Sequence, residues 1–200
     1  IQIYKLILLS CSIILFSSCS FVASRVIPLN DIKPPTGNYK VGTQIFYWVD
    51  NDREEWFTDI KGDKRELVIQ VWYPSNEESD VSTGWLDHPS IRTNAIIDKF
   101  DVPKFIAKAI DRVDTDSFLN AKPLEEGDFP VIIFSHGFEG FRSQNTTQIQ
   151  ELVSNGYIVF SVDHTYDAVL TIFPDGRTIS PAEQYCYGCE AEEFYEVFIP

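Results

Sequence analysis

The chain has 200 residues, with 16 Lys or Arg against 30 Asp or Glu, which gives a formal net charge of −14. Such an acidic chain lacks the clustered cations that capture a phosphate backbone, so nucleic acid is excluded as a partner. Hydrophobic residues make up 44% of the sequence. This content is sufficient for a packed core and excludes a disordered chain.

The amino terminus has the pattern of a secretory signal. Lys5 precedes an apolar stretch over residues 6–16, which is too short to cross a bilayer core of about 30 Å as a helix. Two small residues then lead to Cys19, as in a bacterial lipoprotein signal, whereas a second match at Cys11 leaves too little apolar sequence before it. We therefore expect a signal peptide over residues 1–18 and lipidation of Cys19.

Residues 19–38 are predicted to be a tether, because they are rich in Pro and lack periodicity. Diacylglycerol on the Cys19 thiol, with an acyl chain on the freed amine, exceeds the single chain that gives only marginal anchoring. The sequence therefore predicts a protein anchored by lipid in the bacterial cell envelope, on its periplasmic or outer-membrane face, with the membrane as a partner.

Two segments rich in aromatic and β-branched residues follow the tether and are predicted to be strands. They occupy residues 39–49 and 65–73, and Lys61-Gly62-Asp63 between them offers the positive φ that a chain reversal needs. We expect the two strands to pair antiparallel. Pro74 should end the second strand, because proline cannot donate a hydrogen bond to a neighbouring strand.

Residues 76–127 are predicted to be a helical insertion, because the composition turns polar and two amphipathic pieces lie within it. The first piece covers residues 90–100, and Pro103 is suited to the first turn of the second. Such an insertion acts as a lid, docks on a membrane, or simply covers an edge of the sheet, and we favour the last of these.

A βαβ unit is predicted next. Residues 131–134 are an apolar run typical of a strand buried on both faces. A helix is expected over residues 143–155, with Ser143 as its cap and Gly156 after its end. A second buried strand follows over residues 157–162. The helical crossover makes the two strands parallel.

A hairpin and an acidic helix are predicted beyond this unit. The hairpin strands cover residues 169–173 and 177–179, and Gly176 in the turn between them takes the positive φ. Residues 189–198 are expected to begin the acidic helix.

Cys186 and Cys189 allow two interpretations. They form a local disulfide in an oxidising envelope, or they are a pair of unreactive thiols. A zinc site needs two further ligands, and none is nearby in sequence. A thioredoxin-type site needs a strand-to-helix junction, which this segment lacks.

The Gly-rich turn over residues 135–142 is the candidate functional site. It lies at the carboxyl end of a predicted parallel strand, where open sheets bind ligands. A nucleotide site is excluded, because the turn has neither the spaced dinucleotide glycines nor Gly-Lys-Ser/Thr. An oxyanion hole fits, since fixed backbone N–H groups stabilise the charge that develops in acyl transfer. In α/β-hydrolases such a turn often carries a His-Gly pair, here His136 and Gly137, which makes the Phe138 N–H the donor.

The sequence FPVIIFSHGF over residues 129–138, followed by Phe141 and Arg142, resembles the plasma and bacterial platelet-activating factor acetylhydrolases. The resemblance extends over residues 36–179. It implies the α/β class with an α/β-hydrolase fold, and cleavage of short or oxidised acyl esters, with phospholipid as one substrate class. It also implies a catalytic Ser, Asp and His. No cofactor is expected.

The strained elbow Gly-x-Ser-x-Gly that presents the nucleophile in this fold occurs nowhere in the 200 residues. We therefore expect the catalytic Ser, Asp and His to follow Pro200. The start at Ile1 and the absence of Met also indicate a piece of a longer protein. Residues 39–200 are accordingly predicted to be the amino-terminal part of a hydrolase domain that is truncated at its carboxyl terminus.

The roles of the polar residues around the turn can be interpreted in more than one way. Ser135 lacks the elbow, and His136 is expected to orient the loop rather than to act as a base. Asp163 and His164 either line the pocket or hydrogen-bond their neighbours. Arg142 either anchors a phosphate or carboxylate or pairs with an acidic neighbour, and we favour the pair.

The sequence therefore predicts a serine carboxylic-ester hydrolase that acts on esters, with phospholipids among them, through an acyl-enzyme. The alternative is a non-catalytic envelope lipoprotein that binds a ligand on a hydrolase frame. A peptidase on the same fold would share the triad and differ only in its substrates.

Overall fold

The computed structural model describes residues 32–77 and 82–182 and builds them from strands and short helices. In chain order these are β1 (Lys40–Glu54), β2 (Lys64–Ser75), β3 (Ser82–Gly84), α1 (Pro89–Phe100), α2 (Lys104–Ile110), β4 (Asp114–Leu119), β5 (Val131–Ser135), α3 (Thr146–Ser154), β6 (Ile158–Asp163), β7 (Thr171–Ile172) and β8 (Thr178–Ile179). The predicted signal peptide with Cys19, most of the tether, and the acidic helix with Cys186 and Cys189 lie outside the described residues.

The chain divides into two compact units. The described residues of the first are 32–33 and 84–114, and they include α1 and α2, which pack against each other. The described residues of the second are 34–77, 82–83 and 115–182. The second unit holds the central strands, α3 and the β7–β8 hairpin.

Six of the described strands form one sheet in the order β3-β4-β1-β2-β6-β5. β1 pairs antiparallel with β2, and β5 pairs parallel with β6 across the α3 crossover. The predicted antiparallel pair and βαβ unit are therefore confirmed. β2 joins the two, because it also pairs antiparallel with β6, with Val68 opposite Asp163. The central strands thus contain both short-range and long-range pairings.

The β1–β2 hairpin is longer than its sequence pattern predicts. Gly62 in the turn has φ 82°, as expected for the reversal, but β1 runs on to Glu54 through an irregular register after Asp50. The prediction that Pro74 ends β2 is wrong, since the strand continues to Ser75. Pro74 has no backbone N–H, but its carbonyl accepts a hydrogen bond from Leu124 N–H at 3.0 Å. The strand tolerates Pro74 because this bond uses only the proline carbonyl.

The insertion over residues 76–127 is only partly helical, which corrects the prediction. Its two predicted helices are present as α1 and α2, and Pro103 is the residue before the first turn of α2. The insertion also contributes β3 and β4, and β4 pairs parallel with β1, with Val41 opposite Ser117. The alternation of apolar and polar residues that indicates a strand is hard to recognise in short polar strands within a polar segment.

The core of the second unit lies between the sheet and one face of α3. Its buried members are Val41, Trp72, Ile149, Val153 and Val159, with Ile132 and Phe134 packed against them. Val131 and Ile133 point to the opposite face and are 58% and 81% exposed, so the prediction of a strand buried on both faces is wrong for β5. A continuous apolar run does not reveal which of its faces a helix covers.

Helix α3 begins later than predicted. Its first residue is Thr146 and its cap residue is Asn145, which makes no side-chain capping bond, so Ser143 is not the cap. Gly156 follows the helix with φ 92°, as expected for a residue after a helix end. The predicted hairpin is confirmed as β7 and β8, and Gly176 between them has φ 86°.

Candidate functional site

Two loops meet at the carboxyl ends of the parallel strands. β5 leads into the loop over residues 136–145, and β6 leads into the loop over residues 164–170. The parallel register places Ser135 opposite Val162, so both loops leave the same edge of the sheet. Ligands bind at this edge in open α/β sheets.

His136 links the two loops. Its ring is 6% exposed, and Nε2 accepts a hydrogen bond from the backbone N–H of His164 at 3.1 Å. Because Nε2 accepts, the ring proton is on Nδ1, which donates to the Gly137 carbonyl at 2.8 Å. Both ring nitrogens are therefore engaged in holding backbone groups.

The Gly137 carbonyl is fixed by a second donor, the N–H of Gly140 at 2.7 Å. In a trans peptide the following N–H points away from the carbonyl, and the described residues contain no cis peptide. The two bonds on the Gly137 oxygen therefore also set the direction of the Phe138 N–H. The Phe138 side chain beside it is 48% exposed.

We expect Gly140→Ala to destabilise this loop and Gly137→Ala to leave its stability unchanged. A Cβ on Gly140 would lie 2.8 Å from the Gly137 carbonyl oxygen and against the Gln144 side chain, whereas a Cβ on Gly137 meets nothing within 4 Å. Since the Gly137 oxygen cannot move without losing its donors, the expected cost is about 1–3 kcal/mol. Urea unfolding of both variants measures this difference, and equal stabilities would contradict it.

The end of the first loop is held by a buried ion pair. Arg142 Nη1 contacts Asp163 Oδ2, and the Arg142 backbone N–H donates to Asp163 Oδ1 at 2.7 Å. The two side chains are 1% and 0% exposed. Ser161 Oγ also donates to the Arg142 carbonyl at 2.7 Å. The expected pairing of Arg142 with an acidic neighbour is thus confirmed, with Asp163 as the partner.

Each loop contains a residue in a strained backbone conformation. Glu139 has φ 53° and Tyr166 has φ 70°, although neither is glycine. The two strained segments touch, since Glu139 N–H approaches Asp167 Oδ1 at 3.4 Å and Val169 N–H donates to the Gly140 carbonyl at 2.9 Å. Strain of this kind costs about 1–3 kcal/mol per residue, and the contacts between the two loops hold both residues in this conformation.

Ser135 and His164 form a further contact, with Ser135 Oγ 2.7 Å from His164 Nε2. Burial of the His164 ring, with His136 and Arg65 nearby, lowers its pKa from 6.5 to about 4, against an opposite influence from Asp163. Burial likewise raises the pKa of the Asp167 carboxyl. His164 is consequently a neutral imidazole at pH 7.

His164 should make the folded state less stable in acid. Its pKa is about 4 in the folded protein and near 6.5 when unfolded. Between these values the unfolded chain binds the extra proton, so this contribution is complete above pH 6.5 and is lost as the pH falls toward 4. We expect the free energy of unfolding to depend less steeply on pH in His164→Gln than in the wild type between pH 7 and 4.5. Parallel slopes in urea titrations would contradict this.

Several contacts of the site were not predicted from the sequence. The predicted βαβ unit brings Ser135, at the end of β5, and His164, just after β6, to one edge of the sheet, but it did not indicate the bond between them. The approach of Thr165 Oγ1 to the Glu66 carbonyl, at 2.5 Å, had no such signal. It depends on the pairing of β2 with β6, which brings distant segments together.

No helix among residues 32–77 and 82–182 has both the length and the apolar character needed to cross a membrane. Over the same residues, no group of three or more His, Cys, Asp or Glu side chains is arranged to hold a metal ion.

Comparison with known proteins finds the same family over most of the chain. Residues 26–187 match the family model described as platelet-activating factor acetylhydrolase, isoform II. The chain is 24% identical over 151 residues to a platelet-activating factor acetylhydrolase of Canis lupus familiaris, covering 72% of this chain and 31% of that protein. It is 29% identical over 100 residues to one of Cavia porcellus, covering 48% and 23%.

A solved structure gives the same result for the fold. The ferulic acid esterase from Streptomyces cinnamoneus superposes with a TM-score of 0.62 at 28% identity, over 74% of this chain and 40% of that one. The predicted α/β-hydrolase fold, present in part, is thereby confirmed. The chain spans less than a third of the length of the two curated relatives it matches.

Proposed function

The chain belongs to the platelet-activating factor acetylhydrolase family, and from this premise we propose that the protein is a serine carboxylic-ester hydrolase. Its substrates are short-chain acyl esters, those of phospholipids among them, and it works through an acyl-enzyme. The relatives are named acetylhydrolases and the structural neighbour an esterase, which supports hydrolysis of an ester.

The orientation of the Gly137–Phe138 peptide carries the proposal. His136 Nδ1 and Gly140 N–H hold the Gly137 carbonyl at 2.8 and 2.7 Å, so the Phe138 N–H is directed before a substrate binds. A donor fixed in advance stabilises the oxyanion of acyl transfer without a cost of reorientation during the reaction. In this proposal Phe138 supplies the donor, and His136 and Gly137 position it.

The nucleophile, acid and base lie outside these 200 residues in this proposal. No Gly-x-Ser-x-Gly occurs in the sequence, and the matched relatives are more than three times as long as the part that aligns. The triad would act on an ester carbonyl whose oxygen faces the Phe138 N–H.

A test of the function uses the complete reading frame, expressed without its signal and treated with a fluorophosphonate that labels activated serines. We expect one Ser within a Gly-x-Ser-x-Gly to be labelled, and labelling to be lost when that Ser is changed to Ala. Phe138→Pro removes the proposed donor and should lower kcat for p-nitrophenyl acetate about 100-fold, whereas Phe138→Ala keeps the N–H and should retain most of the activity.

The same experiment can contradict the proposal. A folded full-length protein that is not labelled would leave the ligand-binding lipoprotein as the better interpretation. Equal kcat values in Phe138→Pro and Phe138→Ala, with both variants folded by circular dichroism, would exclude the Phe138 N–H as an oxyanion donor.

We also propose that the protein is anchored in the bacterial cell envelope through lipid on Cys19. The signal pattern before Cys19 and the Pro-rich segment after it support this proposal. Incorporation of labelled palmitate that is lost in Cys19→Ala would agree with it. Equal incorporation in the two proteins would contradict it.

A further inference from the structure

Ser135 and His164 join the end of β5 to the loop that follows β6. Ser135 is the last residue of β5 and precedes His136 directly, and its Oγ is 2.7 Å from His164 Nε2. Ser135 is exposed and His164 is half-buried, so the contact lies at the mouth of the site. It is a side-chain bond between the ends of two parallel strands.

The last residue of β5 and the first residue of the following loop are thereby attached to one residue of the second loop. The side chain of His164 is hydrogen-bonded to Ser135. Its backbone N–H donates a hydrogen bond to His136 Nε2 at 3.1 Å. The Ser135 and His136 side chains therefore reach the same residue beyond the neighbouring strand, and the centroids of the His136 and His164 rings lie 4.8 Å apart. The backbone where β5 passes into the first loop is therefore held to His164 by two hydrogen bonds on consecutive residues.

His164 is itself held firmly enough to act as such a support. Its carbonyl accepts hydrogen bonds from Asp167 N–H and Ala168 N–H, both at 2.8 Å. The same turn holds the far part of the first loop, since Val169 N–H donates to the Gly140 carbonyl at 2.9 Å. The loop over residues 136–140 is consequently attached to the 164–169 turn at both of its ends.

We propose that Ser135 and His164 are positioning residues for the ester hydrolysis proposed above, acting through His136 to hold the Phe138 N–H in its working direction. This inference rests on the proposed function. It assigns to Ser135 and His164 a role in holding the loop and not in attacking the substrate.

The geometry disfavours the other role of a Ser–His pair, that of nucleophile and base. Ser135 lies at a strand end and not in the strained elbow that exposes a nucleophile. Burial of His164 lowers its pKa to about 4, so the ring is a weak base at pH 7. The hydrogen bond therefore serves position and not proton transfer.

The test compares four variants of the full-length protein in hydrolysis of p-nitrophenyl acetate. Ser135→Ala and His164→Ala remove the bond and should each lower kcat about tenfold, a part of the loss that follows removal of an oxyanion donor. KM should stay within about twofold, since the substrate is not contacted. Ser135→Thr keeps the hydroxyl and His164→Gln keeps a polar atom near the place of Nε2, so both should restore most of the activity. Ser180→Ala, at the exposed position directly after β8, is the matched control.

Hydrogen exchange of the backbone amides at residues 136–142 gives a readout that does not depend on activity. Exchange should be about tenfold faster in Ser135→Ala and unchanged in Ser180→Ala. Unchanged exchange and unchanged kcat would overturn the positioning role, as would a fluorophosphonate found on Ser135. A wild type that is folded but inactive would contradict the proposed function. The exchange rates would still show whether Ser135 and His164 hold the loop.

Discussion

Replacing Asp163 with Asn is expected to lower the free energy of unfolding of the full-length protein by about 3–5 kcal/mol, because it leaves the buried Arg142 charge without its carboxylate. Asn keeps the shape and an oxygen that can accept from the Arg142 backbone N–H, which now donates to Asp163 Oδ1 at 2.7 Å. The loss of stability in Asp163→Asn therefore results mainly from removal of the negative charge beside Arg142. Urea unfolding followed by circular dichroism gives the value.

Two controls separate this effect from an ordinary surface pair. Asp50 pairs with Arg53 at 2.6 Å, but the side chains are 27% and 58% exposed, so solvent screens the pair and Asp50→Asn should leave the free energy of unfolding close to that of the wild type. Changing Arg142 to Met and Asp163 to Leu together removes both charges and should recover much of the stability. A double variant as unstable as Asp163→Asn would show that the charge is not the cause.

Replacing His136 with Phe is expected to lower kcat for p-nitrophenyl acetate about 100-fold in the full-length protein. An aromatic ring is kept, but the Gly137 carbonyl loses the Nδ1 donor and the His164 N–H loses its acceptor. The peptide that presents the Phe138 N–H is then free to rotate, and a misdirected donor costs nearly as much as an absent one. Folding should lose about 1–3 kcal/mol from the buried group left without a partner.

Two further variants at this position divide the effect between the two bonds. His136→Asn places an amide near Nδ1 and can still donate to the Gly137 carbonyl, whereas His136→Gln reaches toward Nε2 and the His164 N–H. If the Gly137 bond directs the oxyanion donor, Asn retains more activity than Gln or Phe. His88→Asn, in the unit that holds α1 and α2, should leave kcat unchanged. Equal activity in Asn, Gln and Phe would contradict this assignment.

The sequence predicted the parts of the site that depend on neighbouring residues. An apolar strand, a Gly-rich turn, a helix and a second apolar strand imply a parallel pair with both ends at one edge, and the structure has this arrangement. The His-Gly turn could be placed for the same reason. A pair between Arg142 and an acidic neighbour was favoured from its charge, but its burial and its partner Asp163 are known only from the structure.

Other features could not be predicted. They depend on segments distant in sequence, or on which of two similar faces or residues the fold uses. Nothing in the local pattern of β2 specifies β6 as its second partner, so the contact of Thr165 with Glu66 was missed. The exposure of Ile133 depends on which face a helix covers. Ser143 is a good capping residue by type, yet its carbonyl accepts from Thr146 Oγ1 at 2.7 Å and the helix begins only at Thr146.

The two strands that pair with β2, β1 and β6, are synthesised at very different times. β1 is complete before β2 leaves the ribosome, but Asp163, which pairs with Val68, is added about 95 positions later. At about 5–20 residues per second, the second edge of β2 stays open for about 5–20 s. An open apolar strand edge is a template for pairing with another chain. The nascent protein is therefore most exposed to aggregation in this interval, and a chaperone that covers a strand edge should raise its yield.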